Sequence, residues 1–280
     1  MEEIFPPSNP DYPIRVAMIV EYDGSGYFGW QVQKTGVPTI QAILEEAIAK
    51  VANHPVDTIC SGRTDTGVHA SRQVIHFDTN ARRKDYGWTV GTNTKLPENI
   101  SIQWAKEMNH HFHARFSTRE RRYRYVIYNY PIPHGILRNG MTWVKYPLDH
   151  ELMHRAAQCL VGNHDFSTFR AANCQAASPV RTIKNISLQR YGNMIVLDVR
   201  ADGFLYHMVR NIVGVLIDIG SGKQAVDWCE YLLSLRDRNQ GGVTAKADGL
   251  YFVDAIYDPA FELPETPLGP NFLTWMQHDE

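Results

Sequence analysis

No two cysteines in this 280-residue chain are spaced as Cys-x-x-Cys; Cys60, Cys159, Cys174 and Cys229 lie far apart. That scatter argues against a disulfide framework and a cysteine-built zinc site, and points to reduced thiols. No run approaches the ~18 apolar residues that a membrane span needs. Met1-Glu2-Glu3 is acidic with no apolar core behind it, so neither a secretory signal nor a membrane partner is expected, and a cytoplasmic location is. There is no His-Glu-x-x-His, and the twelve histidines, His110, His111 and His113 among them, supply no third ligand at a suitable spacing, so no metal site is expected. No phosphate-cradling Walker loop is present, and Gly24-Ser25-Gly26 lacks the further glycine of a dinucleotide fingerprint. Ser61 and Ser71 sit in no serine-hydrolase elbow. Lysine and arginine are absent after Lys246, where Asp248, Asp254, Asp258, Glu262, Glu265, Asp279 and Glu280 follow. The first 246 residues therefore carry a net +5 although the whole chain carries −2. A nucleic-acid partner depends on local basic surface, so the total charge does not exclude one.

What is present is ordinary for a soluble globular protein, 44% apolar and 21% charged, and long enough for one large domain or two moderate ones. The densest signal is Ser61-Gly62-Arg63-Thr64-Asp65-Thr66-Gly67-Val68-His69-Ala70. It reads as a tight loop running into a strand at Gln73–Asp78, on which Ile75 and Phe77 share a face. Glycines on both sides of Asp65 let the backbone turn sharply and approach a ligand. From the residues alone, an Asx-turn with an incidental salt bridge fits equally well.

Ile14, Val16, Met18 and Val20 alternate as a first strand after a Pro-rich arm, residues 1–11. Ile40, Ile43, Leu44, Ala47, Ile48 and Val51 mark an amphipathic helix with Thr39 as its N-cap. A shorter helix is expected over Asp85–Leu96, and strands at Ile100–Met108 and around Tyr123, Tyr125 and Ile127. Residues 12–130 thus form one α+β half, and Tyr130-Pro131-Ile132-Pro133 opens a linker, residues 131–148. A second α+β half, residues 149–258, is expected to hold a helix after Asp149, strands at Ile183–Gln189 and Met194–Val199, helices at Tyr206–Ile219 and Ala225–Leu235, and a last strand at Leu250–Ile256. Short connections favour antiparallel α+β sheets. Residues 259–280, with Pro264, Pro267 and Pro270, read as an extended acidic tail.

Arg115, Arg119, Arg121, Arg122 and Arg124 are opposed locally only by Glu120 and interleave with Tyr123 and Tyr125. That pattern suits phosphate contact with base stacking more than a solvated strand face. Arg82-Arg83-Lys84 is a second basic cluster, which loop solvation alone would explain. On the helix from Tyr206, His207, Arg210, Asn211, Gly214 and Asp218 share one stripe in an otherwise apolar circumference. A buried polar stripe needs partners: an internal Arg210–Asp218 or helix-end pair, or a contact beyond the helix.

Gly62-Arg63-Thr64-Asp65, Gly67-Val68-His69-Ala70, Phe112-His113-Ala114-Arg115-Phe116, Arg121-Arg122-Tyr123-Arg124-Tyr125, Met208-Val209-Arg210-Asn211 and Gly249-Leu250-Tyr251 together resemble, in order, the motifs of the tRNA pseudouridine synthase A (TruA) family. The resemblance covers roughly residues 12–273, and departs at Thr66, where the family usually has Ala. It implies a pseudouridine synthase fold, two ferredoxin-like halves with a joined sheet and a central active-site cleft. It implies a cofactor-free isomerase that converts uridine to pseudouridine at positions 38, 39 and 40 of the tRNA anticodon arm, working as a homodimer. By the same resemblance Asp65 is the catalytic carboxylate, through attack at C1′, attack at C6 or proton abstraction at C2′. Arg210 orients it, Tyr123 stacks on the target base, and Leu250 packs against that base. Arg63, Arg83, Phe112, His113, Arg115, Arg121 and Arg122, with the loop Asn173–Ala177, are the expected RNA contacts.

Two rival classes frame that expectation. A non-catalytic RNA-binding module would keep the basic surface and lose the acid, yet Asp65 is present. A carboxylate-dependent hydrolase would pair Asp65 with a second acid such as Asp78 or Glu21.

Overall fold

The alternation of Ile14 to Val20 becomes β1 (Ile14–Tyr22), an interior strand, in the computed structural model of the protein. The structure describes residues 3–7 and 9–276; Met1, Glu2, Ser8 and residues 277–280, parts of the expected arm and tail, lie outside them. In order follow α1 (Ile40–Ala52), β2 (Ile59–Cys60), β3 (His69–Thr79), α2 (Asp85–Asn93), β4 (Ile100–Met108), β5 (Glu120–Asn129), β6 (Thr142–Val144), α3 (His150–Ala157), β7 (Gly162–Asp165), β8 (Val180–Tyr191), β9 (Met194–Ala201), α4 (Met208–Gly220), α5 (Trp228–Leu235) and β10 (Leu250–Ile256). β1 pairs antiparallel with β3 and β4, as β9 does with β5 and β8, while β5–β6 is parallel. The fold class is α+β, as the short connections required. The chain divides into two units, Met1–Arg119 with Phe252–Glu280, and Glu120–Tyr251. Residues 131–148, expected as a linker, lie inside the second unit and carry β6.

In the first unit the strands run β4-β1-β3-β10, β10 belonging to it from Phe252 onward, with β2 on β3. Thr39 caps α1 by accepting from the Ala42 amide, and Ile40, Leu44, Ala47 and Ile48 bury one face. Trp88 of α2 meets Phe77 of β3 edge-on at 5.3 Å between centroids. That helix ends at Asn93 rather than Leu96, because the Asn93 amide closes on the main chain of Ile102, donating at 2.8 Å and accepting at 2.7 Å. Arg15 is only 2% exposed. Its Nε and Nη2 donate to the two oxygens of Asp78 at 2.8 and 2.9 Å, and its Nη1 to the carbonyls of Phe5 and Phe112 at 2.8 and 2.9 Å. One guanidinium thereby joins β1, β3, the N-terminal segment and the loop after β4. The arm expected to be loose is fastened at Phe5, whose amide donates to His110 O at 2.8 Å. The C-terminal tail is also held to its own unit, with Leu273 fully buried and Glu262 paired with Lys106 at 2.7 Å.

In the second unit the strands run β5-β9-β8-β7, with β6 on β5. Tyr125 and Ile127 oppose Leu197 and Ile195 across the β5–β9 ladder and are buried with them. α4 starts at Met208, not Tyr206, because His207 is left-handed at φ 59° and cannot continue a right-handed helix. α5 starts at Trp228, after residues 225–228 close as a turn through Trp228 N to Ala225 O. The polar stripe of α4 finds partners beyond its helix. Asn211 donates to Phe169 O at 2.8 Å and accepts from Thr244 and Arg238 at 2.7 and 3.1 Å, while Arg210 Nε donates to Ala245 O at 2.8 Å. Asp218 pairs with Lys223 at 3.1 Å.

Candidate active site and nucleic-acid surface

The Asp65 loop connects β2 to β3, and its conformation is dictated from several sides. Asp65 O accepts from Val68 N at 3.1 Å, closing a turn whose third residue, Gly67, has φ +77°. That left-handed geometry demands glycine in a type II turn. Gln73, fully buried on β3, clamps the base of the loop. Its Nε2 donates to Gly62 O at 2.6 Å, and its Oε1 accepts from Ser61 Oγ at 2.7 Å and from Gly62 N at 3.4 Å. Tyr22 and Thr64 share a hydroxyl–hydroxyl bond of 2.8 Å, and Trp30 N donates to Thr64 O at 3.0 Å. Behind the loop, Gly29 has φ +83°, and a side chain there would come within 2.9 Å of Thr64 O and 3.2 Å of Asp65 C. His69 closes the far end beside Asp23 at 3.0 Å, a contact that holds the Asp23 carboxyl well below the usual carboxylate range. Asp65 itself is half-buried, and Arg63 is exposed with no side-chain hydrogen bond or ion pair among the described residues. Such pinning fixes the backbone from which the Asp65 side chain projects.

Tyr123, Arg210 and Leu250 belong to the second unit. Tyr123 is buried near the start of β5, its ring edge-on to Phe204 at 5.0 Å. A strap of residues 244–250 brings the neighbourhoods of the other two together. Arg210 Nε and the amide of Ala245 exchange bonds with each other's segments at 2.8 and 3.1 Å. Further along, Lys246 O accepts from Tyr125 Oη at 2.8 Å, and Gly249 O from Val126 N at 2.8 Å, which seats Leu250 against β5. Buried Tyr125 is pushed well above the usual phenol range by desolvation.

The basic cluster on β5 is less free than its sequence suggests. Arg122 grips Asp198 of β9 at 2.6 and 3.1 Å, and Arg124, directly opposite in register, reaches the same carboxylate at 2.8 Å. Arg200 pairs with Glu120 at 2.9 Å, Arg119 with Asp258, and Arg121 donates to Asp202 O at 3.0 Å. Arg82, Arg83 and Lys84, by contrast, are all exposed at the start of α2. Arg115 is exposed as well, its guanidinium 5.5 Å above the ring of Phe116. The loop Asn173–Ala177 is largely exposed and is shaped by Arg170, which donates to the carbonyls of Cys174 and Ala176 at 2.8 and 2.9 Å.

Phe112 requires a correction. It is 0% exposed, packed against Tyr257 at 5.2 Å and Phe261 at 5.3 Å, and a side chain without surface cannot touch RNA in this fold. His113 is buried too, 8% exposed, and its Nδ1 accepts from the amides of Arg115 and Phe116 at 3.2 and 3.1 Å. Burial first, then the charges of Arg15 and Arg115, depress its pKa to about 4. Neighbouring His76 is depressed further by burial and Arg15, and its Nδ1 accepts from Ala114 N at 3.1 Å. An unfolded histidine binds a proton near pH 6.5. Below that pH the unfolded chain takes up protons that folded His113 refuses until about 4, so stability falls as pH drops through this window and is level above it. The midpoint of urea unfolding is expected to decrease between pH 7 and pH 5, and His113→Asn to make that decrease shallower; a wild-type midpoint unchanged over the interval would contradict this.

Gln73, which clamps the Asp65 loop, and Asp198, which holds Arg122 and Arg124, are contacts that the sequence did not reveal. Gln73 carried one signal, an amide directly before the apolar pair Val74 and Ile75 on the strand that follows the loop. Asp198 carried none, because its role depends on strand register. Among the described residues, no group of three or more His, Cys, Asp or Glu is placed to hold a metal, and no helix is long and apolar enough to cross a membrane.

Residues 18–117 and 156–258 match the family model described as tRNA pseudouridine synthase. The chain is 53% identical over 260 residues to the tRNA pseudouridine synthase A of Shewanella woodyi, spanning 93% of this chain and 99% of that protein. Over 278 residues it is 51% identical to the tRNA pseudouridine synthase A of Pseudomonas aeruginosa, spanning 98% of each. The Coxiella burnetii protein of the same name is 52% identical over 259 residues, 92% of this chain and 99% of that one.

Proposed function

The chain belongs to the tRNA pseudouridine synthase family, and on that premise we propose that it isomerises uridine to pseudouridine at positions 38, 39 and 40 of tRNA anticodon arms, with Asp65 as the acting carboxylate. The observation that carries the assignment is the pinned loop, in which Gln73, Tyr22, Trp30 and Gly29 fix the backbone on either side of Asp65. The reaction breaks the C1′–N1 bond, turns the uracil and joins C5 to C1′. The C5 hydrogen leaves as a proton and N1 takes one up, so no electrons are exchanged. Such chemistry needs a fixed acid group, a sheltered pocket and a grip on the detached base.

Arg210 orients the Asp65 carboxylate and favours its charged form. Tyr123 stacks on the uracil and Leu250 packs on its other face. A stacked uridine must be extruded first, at a cost of a few kcal/mol. Arg63, exposed next to the acid, fills the space the base vacates. Recognition rests on RNA shape and backbone, through Arg83, Arg115 and the Asn173–Ala177 loop, with Arg121 and Arg122 as weaker contacts because Arg121 already donates to Asp202 O and Arg122 is held by Asp198. The working unit is a homodimer in the cytoplasm.

The test is incubation of the purified protein with an unmodified tRNA transcript, followed by mapping of pseudouridine. Product confined to positions 38–40 is expected; none in the anticodon arm would overturn the reading. A salt titration separates the basic residues. Arg83→Ala should weaken tRNA binding and reduce the salt slope by about 1, the signature of one lost phosphate contact. Arg122→Ala should change the slope less, and equal changes in the two variants would show that the Asp198 pairing does not restrain Arg122.

A further inference from the structure

The loop after β4 is clamped by both ends of the chain. From the C-terminal side Tyr257 Oη donates to Ala114 O at 2.6 Å, and Phe261 packs on Phe112. From the N-terminal side Phe5 donates its amide to His110 O and lends its carbonyl to Arg15, and Glu3 O lies 3.1 Å from His111 Nδ1. What all this fastening leaves outside is one aromatic face. Phe116 is 61% exposed, with Arg115 above its ring, His113 stacked on it at 4.3 Å, and Phe5 at 6.0 Å from Phe116 and 5.0 Å from His113. A large exposed ring, held rigid and accompanied by a guanidinium, is the arrangement that accepts a nucleobase and its phosphate.

We propose that Phe5, His113 and Phe116 form a stacking platform for the substrate tRNA, on which Phe116 receives a base, Arg115 holds the adjoining phosphate, and the N-terminal segment, through Phe5, is a working part of the RNA-binding surface. The proposal rests on the reading that the 112–116 loop faces RNA, and adds to it the exposed ring and the arm that supports it. His76, beside the platform, lies seven residues along β3 from His69 at the end of the Asp65 loop, roughly 23 Å at strand rise. A contact displaced along that strand from His69 supplies binding and leaves the chemical step alone. Phe5 is therefore a positioning residue and Phe116 a binding residue.

Steady-state kinetics on full-length tRNA test the platform, with thermal melting of each variant. Phe116→Ala is expected to raise KM roughly 5- to 100-fold with kcat unchanged, the range for loss of one base–aromatic stack, and Arg115→Ala to raise KM with kcat unchanged and to reduce its salt slope by about 1, the loss of one phosphate contact. Phe5→Ala is expected to raise KM by about 3- to 10-fold at an unaltered kcat, and Phe5→Trp to restore it to within about twofold of wild type. If Phe116→Ala and Arg115→Ala raise KM but Phe5→Ala does not, the arm has no part in binding, and the proposal is overturned while the loop's contact with RNA stands. If all three leave KM unchanged, the loop does not face the substrate and both readings fall. A lower melting temperature for Phe5→Ala with KM intact would make Phe5 a structural residue only, and equally overturns the proposal.

Discussion

Replacing Asp65 with Asn is expected to cut the rate of pseudouridine formation by roughly 10³-fold or more while tRNA affinity stays within a few-fold of wild type. The substitution keeps size and hydrogen-bonding capacity but removes the charge. It therefore separates a carboxylate that does chemistry from one that merely completes a turn. The turn itself is closed by the Asp65 carbonyl, and the loop is held by Gln73, Tyr22 and Trp30, none of which depends on the Asp65 side chain for the bonds described. The fold should consequently survive, and melting temperature serves as the control. Asp65→Ala should behave in the same way. Single-turnover rates with tRNA bound in excess of its Kd report the chemical step directly. Turnover within tenfold of wild type by either variant would remove Asp65 from the reaction, and the loop's rigidity would then need another explanation.

The largest effect on stability is expected from Asp78→Ala. Arg15 is 2% exposed and gives two of its donors to that carboxylate. Taking away the acid leaves a buried guanidinium without its counter-charge, a change that costs about 3–5 kcal/mol. Asp78→Asn retains one acceptor and should lose roughly half as much. Replacing the pair together, Arg15→Met with Asp78→Leu, should recover only part of the loss, because the carbonyls of Phe5 and Phe112 also lose their donor. Urea unfolding of the first unit is the measurement. A loss under ~1 kcal/mol for Asp78→Ala would mean that Arg15 finds other compensation. Because Asp78 has its carboxylate committed to Arg15, it is also poorly placed to serve as the second acid of a hydrolase.

Local pattern made much of the fold readable in advance. The alternation of Ile14 to Val20, the 3.6-residue period from Ile40 and the hydroxyl of Thr39 each specify their element within a few neighbours. The glycines around Asp65 were legible for the same reason, since Gly67 needs a backbone that other residues rarely adopt. Long-range pairing was not legible. Asp198 faces Arg124 only because β9 lies beside β5 in one register, and nothing within either strand announces the match. Phe112 misled because aromatic residues in a basic loop suit both RNA stacking and a core; Tyr257 and Phe261, almost 150 residues on, decide for the core. The start of α4 moved by two residues because the left-handed His207 leaves no trace in hydrophobic spacing.

The proposed role of the Asp65 carboxylate is to make pseudouridine in the anticodon arm. It is tested most directly by mapping modified uridines in tRNA from cells lacking this protein, supplied either with the wild-type chain or with Asp65→Asn. Pseudouridine at positions 38–40 restored by the wild type and absent with the variant is the expected result. Restoration by the variant, or pseudouridine at those positions persisting without the protein, would contradict it.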